Sequence, residues 1–271
     1  MPGLVVSAAR LAPPPATPYH GVMLPLVCLF TDFGAEGPYL AQMEAAILTR
    51  APQARVLNLL SDAPAADPLH GAYLLAALME ALPADAVVVA VVDPGVGGER
   101  LPLVVEAGGR RCVGPDNGLL SQWLRRHPDA GVWRIDWRPA RLSASFHGRD
   151  LFAPVAARLL LGDRRGLSPL APAGLVGADW SADLQEVIYL DHFGNAFTGI
   201  RAEALAGEAL LEVAGHRLPR ARTFSEVPPG TAFWYANSCG LVEIAVNAGR
   251  AADRLGLVPG TPVAIHPPGE G

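Results

Sequence analysis

The chain has 271 residues, of which 51% are hydrophobic and 17% are charged, so it has enough apolar surface for two folded domains and is not a disordered protein. The formal net charge is −5, and the arginines are scattered without a basic run or interleaved aromatic residues. Nucleic-acid binding therefore has no electrostatic support, and a cationic ligand suits the chain better. No apolar stretch reaches membrane-spanning length without interruption, which disfavours a membrane role.

Residues 1–22 are rich in Ala and Pro and lack the basic start and the continuous apolar stretch of a secretory signal. We expect this segment to be a disordered tail. The three cysteines, Cys28, Cys112 and Cys239, do not have metal-ligand spacing, and two of them fall in apolar strands where a buried thiol is ordinary. We predict free thiols, no bound metal and a reducing, cytoplasmic location.

Strands and helices alternate in the first part of the chain, a pattern typical of a layered sheet with helices on its faces. The predicted elements are strand 24–31, helix 39–50, strand 55–60, helix 72–82, strand 86–92, a hairpin of strands 101–106 and 110–113, a short helix 119–126 and a helix 151–161. A segment rich in Pro, Gly and Ala, residues 162–179, predicts a linker.

Short strands without helical patterns follow the linker and predict a small β-barrel-like domain. These strands are 186–190, 209–213, 231–235, 241–246 and 262–265. The predicted fold class is α/β, with an N-terminal layered α/β domain that has a mostly parallel sheet. The predicted parts are a tail of residues 1–22, a catalytic α/β domain of residues 23–178 and a C-terminal β domain of residues 179–271.

One segment, Val92–Arg100, has the sequence VDPGVGGER and follows a predicted buried strand. Asp93 is therefore expected at the carboxyl end of a parallel sheet, where open α/β folds bind ligands. Pro94 and three glycines permit a tight turn and a close backbone approach to a ligand, and Arg100 brings a guanidinium near the Asp93 carboxylate. The alternative is a simple turn that Asp93 caps.

Two more polar residues are expected near the same edge. Asp32 directly follows strand 24–31, and a short acidic side chain there can bind a vicinal diol as acidic residues in nucleotide folds bind ribose. His147 precedes helix 151–161. A helix N-terminus disfavours a protonated imidazole, so we predict a neutral His147 that can accept a proton.

Six motifs together resemble one family, the S-adenosyl-L-methionine hydrolases or SAM hydroxide adenosyltransferases, which are related to the fluorinases and chlorinases. In order they are TDFG at 31–34, DPGVGGER at 93–100, GPDNG at 114–118, SFHGRD at 145–150, DHFGN at 191–195 and ANS at 236–238. The tripeptide DFG alone would suggest a protein kinase and GVGG alone a phosphate loop. No kinase catalytic loop lies upstream, and no Gly-Lys-Ser/Thr follows the glycines.

The resemblance implies the same division into two domains. It also implies homotrimers in which each site forms between the first domain of one subunit and the second domain of a neighbour. The family pattern begins just after Met23, and one hypothesis is that Met23 is the start of translation. The implied reaction is hydrolysis of S-adenosyl-L-methionine to adenosine and L-methionine by attack of activated water at ribose C5′, without a cofactor.

The resemblance also implies roles for individual residues. Asp93, Arg100 and His147 correspond to the Asp, Arg and His of the family's hydrolases, and Arg100 would keep Asp93 ionised. The identity of the group that takes the proton from water stays open.

For substrate binding, Asp32 matches the acceptor of the ribose diol, Asp191 and Ser238 match groups at the amino-acid end, and Asn195 matches a contact on the adenine side. Phe224 is a candidate for stacking on adenine. The structural alternatives are that these residues order a turn, cap one or belong to the core.

Two alternatives to hydrolysis are a halogenase that uses chloride or fluoride, and a protein that binds S-adenosyl-L-methionine or adenosine without reaction. In the halogenating relatives an uncharged residue replaces the Asp93 carboxylate and an inserted loop shapes the halide pocket. This chain has the Asp and no comparable insertion. Many family members have a His in the loop at 60–64, where this chain has LSDAP. The resemblance therefore does not extend to a role for a second imidazole.

Overall fold

The first domain is built on a seven-stranded sheet with strand order β2-β1-β3-β5-β4-β6-β7. A computed structural model describes residues 25–207 and 209–267; the predicted tail, residues 1–22, lies outside them. The elements are β1 Leu26–Thr31, α1 Tyr39–Leu48, β2 Arg55–Leu60, α2 Pro68–Met79, β3 Val87–Val91, β4 Pro102–Ala107, β5 Arg110–Pro115, α3 Ser121–Arg126, β6 Gly131–Ile135, α4 Ala153–Leu160 and β7 Leu167–Pro169.

The sheet is mostly parallel, as predicted. Strands β2, β1, β3 and β5 pair in parallel. Strand β4 runs antiparallel to both β5 and β6, so β6 points the same way as β5, and only β4 and β7 are reversed. The carboxyl ends of β1 and β3 therefore meet at one edge of the sheet.

Both faces of the sheet are covered by helices. Along β1, Val27 and Leu29 pack in one buried cluster with residues of α1 and α4, whereas Cys28 and Phe30 pack in another with residues of α2 and α3. Alternate side chains of a strand point to opposite faces. The near-continuous apolar runs of the central strands are thus explained by burial on two sides.

The second domain is a β-barrel-like arrangement of two antiparallel sheets, β11-β10-β14 and β12-β13-β9-β8. Its elements are β8 Leu184–Leu190, β9 Ala196–Arg201, β10 Leu210–Val213, β11 His216–Leu218, β12 Ala232–Ala236, β13 Leu241–Val246, α5 Ala251–Leu255 and β14 Val263–His266. Backbone hydrogen bonds join the sheets at both sides: Val187 N–H donates to Thr261 O at 2.9 Å, and Trp234 N–H donates to Pro219 O at 3.0 Å. These bonds close the strands around a buried apolar interior.

The two domains pack through α2 and β8. The Tyr73 hydroxyl donates to the Ser181 carbonyl at 2.7 Å, and His70 Nε2 lies 3.2 Å from Glu186 Oε2. The predicted boundary, between residues 178 and 179, falls in the segment that joins β7 to β8.

Several sequence predictions need correction. Part of the predicted linker is wrong, because Leu167–Pro169 pairs with β6 as an edge strand. Strands β6, β9 and β11 and helix α5 were not predicted. Helix α2 begins four residues earlier than predicted, at Pro68, where Asp67 accepts a hydrogen bond from the His70 N–H and caps the first turn.

The prediction that the cysteines are free thiols is confirmed. Cys28 and Cys112 are buried in β1 and β5, and all three thiols are free. Within residues 25–207 and 209–267, no helix has the length and apolar character needed to cross a membrane.

Candidate active site

A buried ion pair lies at the carboxyl edge of the large sheet. Asp93 follows β3, and its side chain is only 3% exposed. Arg100 Nε donates to both Asp93 carboxylate oxygens, at 3.0 and 2.9 Å, and Arg100 Nη2 donates to Oδ2 as well. This forked contact fixes the plane of the carboxylate. A buried carboxylate so held is a rigid acceptor.

His147 extends the pair to a cluster of three. Its Nδ1 lies 3.0 Å from Arg100 Nη2, and since a guanidinium only donates, Nδ1 accepts and the neutral ring carries its proton on Nε2. Burial lowers the pKa of His147, and the Arg100 charge lowers it further, against the opposing effect of Asp93. The predicted neutral imidazole therefore agrees with the structure, but burial rather than a helix N-terminus is the main cause.

The lone pair of His147 is less free to accept a proton than the sequence predicts. The expectation was a neutral His147 able to accept a proton. In the structure the lone pair on Nδ1 already accepts a hydrogen bond from Arg100. His147 directly precedes a π-helical turn, Gly148–Phe152, that leads into α4, so the helical segment also begins earlier than the predicted residue 151.

Neighbouring elements hold the cluster in place. The Arg100 guanidinium lies over the Phe152 ring, 5.5 Å from its centroid, a stabilising cation–π geometry. Asn117 Nδ2 donates to the Val92 carbonyl at 2.8 Å, which anchors the backbone directly before Asp93. The GPDNG motif therefore has a structural contribution at this edge.

Gly97 lets two loops approach each other. Its φ is +82°, and a Cβ at this position would overlap the backbone oxygen of Ala144. Only glycine combines this conformation with so close a contact. The loop that carries Asp93 thus packs directly on the loop that leads to His147.

A first cavity of about 500 Å³ opens beside this cluster; we call it the sheet-edge cavity. Asp93 and His147 line it, whereas Arg100 does not and lies behind the carboxylate. Asp32, which follows β1, lines the same cavity, and its Oδ2 accepts a hydrogen bond from the Ala66 N–H at 2.9 Å. The other Asp32 oxygen has no partner among residues 25–207 and 209–267.

Three aromatic rings form one wall of the sheet-edge cavity. Phe33, Tyr39 and Phe146 contact one another with centroids 5.4 to 5.8 Å apart, in the tilted and edge-to-face geometries that aromatic rings prefer. Sequence reasoning did not assign this cluster, although Phe33 and Phe146 stand inside quoted motifs.

A second cavity, of about 650 Å³, lies in the barrel domain; we call it the barrel cavity. Asp191, Asn195, Ser238 and Phe224 all line it. The two cavities have no lining residue in common. The predicted site residues are therefore brought together in two groups rather than one.

Asp191 and Asn195 are in direct contact at the turn between β8 and β9. Asp191 Oδ1 accepts the Asn195 backbone N–H at 2.8 Å, and Oδ2 accepts Asn195 Nδ2 at 3.1 Å. Phe224 packs edge-on against Phe233 and Tyr235, at 5.2 and 5.5 Å between centroids, so it belongs to an aromatic cluster and also faces the cavity.

Sequence reasoning missed Glu243, which is 3% exposed on β13 and lines the barrel cavity. The Tyr235 hydroxyl donates to it, and Asn237 Nδ2 donates at 2.9 Å. Burial raises the pKa of Glu243 and the nearby Asp191 raises it further, while the hydrogen bonds lower it. The available signal was a lone carboxylate within an otherwise apolar strand, LVEIAV.

In the part of the chain that the structure describes, no cluster of three or more His, Cys, Asp or Glu side chains could hold a metal ion. Independence from metal and cofactor stays a prediction. What the arrangement offers chemically is a fixed carboxylate and a neutral imidazole at the wall of a nucleoside-sized cavity, which can orient a small polar nucleophile.

The first domain presents a fixed carboxylate to one cavity, and the second domain has a cavity of its own. These features place the chain in the class of two-domain enzymes that act on small molecules. Two family models match the chain: the SAM hydroxide adenosyltransferase N-terminal domain over residues 27–166 and the C-terminal domain of the same family over residues 185–264. The chain belongs to this family, as its motifs predicted.

Two named relatives and a solved structure of similar fold agree with this assignment. Proteins named (R)-S-adenosyl-L-methionine hydrolase from Salinispora arenicola and Thermus thermophilus are each 42% identical to this chain, covering 89% and 88% of it and 97% and 98% of the relatives. An uncharacterized conserved protein from Thermotoga maritima superposes with a TM-score of 0.80 at 26% identity, covering 89% of this chain and 99% of its own.

Proposed function

We propose that this protein hydrolyses S-adenosyl-L-methionine to adenosine and L-methionine. The observation that carries the proposal is the buried Asp93 carboxylate, held by Arg100 and facing the sheet-edge cavity beside a neutral His147. The similarity to relatives named (R)-S-adenosyl-L-methionine hydrolase over nearly their whole length supports the same reaction.

The substrate determines what the site must supply. The ribose C5′ carbon bears a sulfonium, so methionine leaves as a neutral thioether and needs no general acid. Water is a weak nucleophile, and the enzyme must orient it in line with the C5′–sulfur bond and take its proton. Water and S-adenosyl-L-methionine then give adenosine, methionine and one proton.

Asp93 is the group we propose as proton acceptor. The lone pair of His147 Nδ1 faces Arg100, so the carboxylate is the better placed base, and His147 can donate from Nε2 to the water oxygen. Arg100 keeps Asp93 oriented through hydrogen bonds to both carboxylate oxygens. The three residues thus act as one unit, with Arg100 acting through Asp93.

The remaining site residues are proposed to bind the substrate. Asp32, which has one oxygen without a partner among the described residues, accepts the ribose diol. In the barrel cavity, Asp191 and Ser238 serve the amino-acid end, Asn195 the adenine side, and Phe224 the adenine face. Asp191 and Asn195 are hydrogen-bonded to each other. The amino-acid end and the adenine side of the substrate must therefore both lie close to this turn.

We propose that the complete site forms between subunits of a homotrimer in the cytoplasm. The separation of the two groups of site residues into cavities without a common residue supports this arrangement. The sheet-edge cavity of one subunit would supply the reacting groups, and the barrel cavity of a neighbour would complete the substrate pocket.

Halogenation is not favoured, because a fixed carboxylate next to the reacting carbon repels chloride and fluoride. The test is to incubate the pure protein with S-adenosyl-L-methionine in oxygen-18 water with excess halide, and to analyse the nucleoside by mass spectrometry. We expect adenosine labelled at the 5′ oxygen and no 5′-halo-5′-deoxyadenosine.

The matched control is preformed adenosine in labelled water with the same protein, which should stay unlabelled. A halogenated nucleoside as the main product would contradict the proposal in favour of the halogenase. Tight binding of S-adenosyl-L-methionine without any product would contradict it in favour of a binding protein.

A further inference from the structure

The SFHGRD motif ends in two charged residues, Arg149 and Asp150, to which the proposed reaction assigns no role. Arg149 Nε donates to Asp150 Oδ1 at 2.6 Å, and Arg149 Nη2 donates to Oδ2 at 3.0 Å. Arg149 Nη1 donates to Gln42 Oε1 of α1 at 2.8 Å, and the guanidinium lies 5.1 Å from the centroid of the Phe146 ring. These contacts together fix the plane of the guanidinium.

Asp150, the main partner of Arg149, is itself held in place. Its Oδ2 also accepts the Ser143 N–H at 2.9 Å, which closes the segment that carries His147. The hydrogen bonds from Arg149 hold the pKa of Asp150 below its ordinary value, against the opposing effect of burial, and the Ser143 N–H lowers it as well. Asp150 is therefore an ionised carboxylate that orients Arg149 from a fixed backbone position.

Arg149 has further N–H groups beside the sheet-edge cavity. A guanidinium carries five N–H groups, and the contacts with Asp150 and Gln42 use three of them. The remaining two have no partner among residues 25–207 and 209–267, and neither does the Gln42 amide nitrogen. Arg149 and Gln42 both line the cavity, so its wall presents a cation and an amide donor side by side.

The charges of the two cavities leave one group of the substrate without a cationic partner. S-adenosyl-L-methionine carries a sulfonium, an ammonium and a carboxylate. The cavities are lined by acidic residues, which suit the two cations and repel the carboxylate: Asp32, Asp93, Asp191 and Glu243. Among the residues that the structure describes, Arg149 is the only Arg or Lys that lines either cavity.

We propose that Arg149 binds the α-carboxylate of the substrate and determines specificity for ligands that carry one, with Gln42 as a second donor. This inference rests on the proposed function. A guanidinium binds a carboxylate through short, charge-assisted hydrogen bonds, and Arg149 has two N–H groups left for them. Asp191 then serves the ammonium, so the two charged groups of the amino-acid end bind in different cavities. A ligand without the carboxylate leaves these donors unpaired and is rejected.

The test compares two thioethers, S-adenosyl-L-homocysteine and its decarboxylated analogue, which differ only in the α-carboxylate. Neither has a sulfonium leaving group, so their Kd values can be measured by calorimetry on the full-length protein without turnover. Wild type should bind S-adenosyl-L-homocysteine more tightly. In Arg149→Gln this preference should shrink by about tenfold or more, because the hydrogen bonds from a charged donor are lost.

The ratio of the two Kd values separates recognition of the carboxylate from a purely structural role. If Arg149 only supported the fold, its replacement would weaken both thioethers by the same factor. Arg141→Gln is the matched control, because Arg141 is exposed and does not line the sheet-edge cavity. If Arg149→Gln does not fold, Arg149→Lys, which keeps the charge but not the forked geometry, should shift the ratio in the same direction.

An unchanged ratio in the folded Arg149 variant, an equal shift in Arg141→Gln, or a wild type that binds both thioethers equally would each overturn the inference. Hydrolysis of S-adenosyl-L-methionine by wild type is measured separately. Failure of that reaction overturns the proposed function, whereas the ratio of the Kd values decides the role of Arg149.

Discussion

At the scale of single residues, the Asp93 carboxylate combines burial with three hydrogen bonds from one guanidinium. In Asp93→Asn the amide keeps the shape of the side chain but cannot take a proton from water. We expect kcat to fall by about a hundred- to ten-thousand-fold, the usual contribution of a general base, while the Kd for S-adenosyl-L-methionine stays within about threefold.

The measurement is single-turnover hydrolysis together with calorimetric binding. Glu99→Gln is the control, because Glu99 is an exposed carboxylate in the same loop. A kcat for Asp93→Asn within about threefold of wild type would remove Asp93 from the chemistry.

The second prediction at this scale concerns pH. The pKa of His147 is lowered from its ordinary value of 6.5 by burial and by Arg100, so the neutral ring persists as the pH falls through 6.5, and protonation occurs only at lower pH. We expect kcat to stay flat across 6.5 and to decline on the acid side. Titration of the His147 ring by NMR checks the assignment, and an inflection at or above 6.5 would be inconsistent with it.

At the scale of elements, the loop after β3 and the loop before α4 form one unit through Gly97 and Ala144. Gly97→Ala introduces a side chain at positive φ and an overlap with the Ala144 carbonyl, which together cost roughly 1–3 kcal/mol. We expect a lower Tm and a lower kcat without loss of secondary structure, measured by circular dichroism and kinetics.

Gly95→Ala is the matched control for this loop, because a Cβ at Gly95 meets nothing within 4 Å. If the two substitutions change Tm and kcat equally, the loop responds alike to a side chain at either position. The contact between Gly97 and Ala144 would then not be the cause of the losses in Gly97→Ala.

The sequence predicted elements best where burial is continuous. The apolar runs that became β1 and β3 placed Asp32 and Asp93 at the correct edge, because parallel strands end together. Strand β6 was missed because only Val132 and Ile135 of it are buried, so it lacks the continuous apolar run of β3. Strand β7 is only three residues long and contains Pro169, a residue confined to edges or bulges.

The contact between Arg100 and His147 shows what could not be predicted about the site from local sequence patterns. These residues lie 47 positions apart, and no local pattern specifies such a distance; only the resemblance to the family linked them. Glu243 was missed for another reason. A charged residue in a strand normally faces solvent, and only the folded barrel reveals that this one is buried.

At the scale of the whole molecule, the two groups of site residues occupy separate cavities of one chain. If neighbouring subunits complete each site, mixed trimers of an Asp93→Asn chain and an Asn195→Ala chain contain some sites without either lesion. Random mixing gives about one intact site in four under cyclic symmetry. We expect co-refolded mixtures to regain that fraction of wild-type activity at low substrate concentration.

Each variant refolded alone is the control for this mixture, and analytical ultracentrifugation gives the assembly state. A mixture no more active than the sum of its parts, or a fully active monomer, would contradict the shared site.

The hydrogen bond from Asn117 to the Val92 carbonyl has a consequence for the order of events during folding. It joins residues 25 positions apart, and the contact of Arg100 with His147 closes a still longer loop. Contacts of long sequence separation form after local structure, because the chain must first lose the entropy of the intervening loop. A chain emerging from the ribosome therefore contains Asp93 well before Asn117 and His147 are available, so the chemical centre is complete only after both loops have closed.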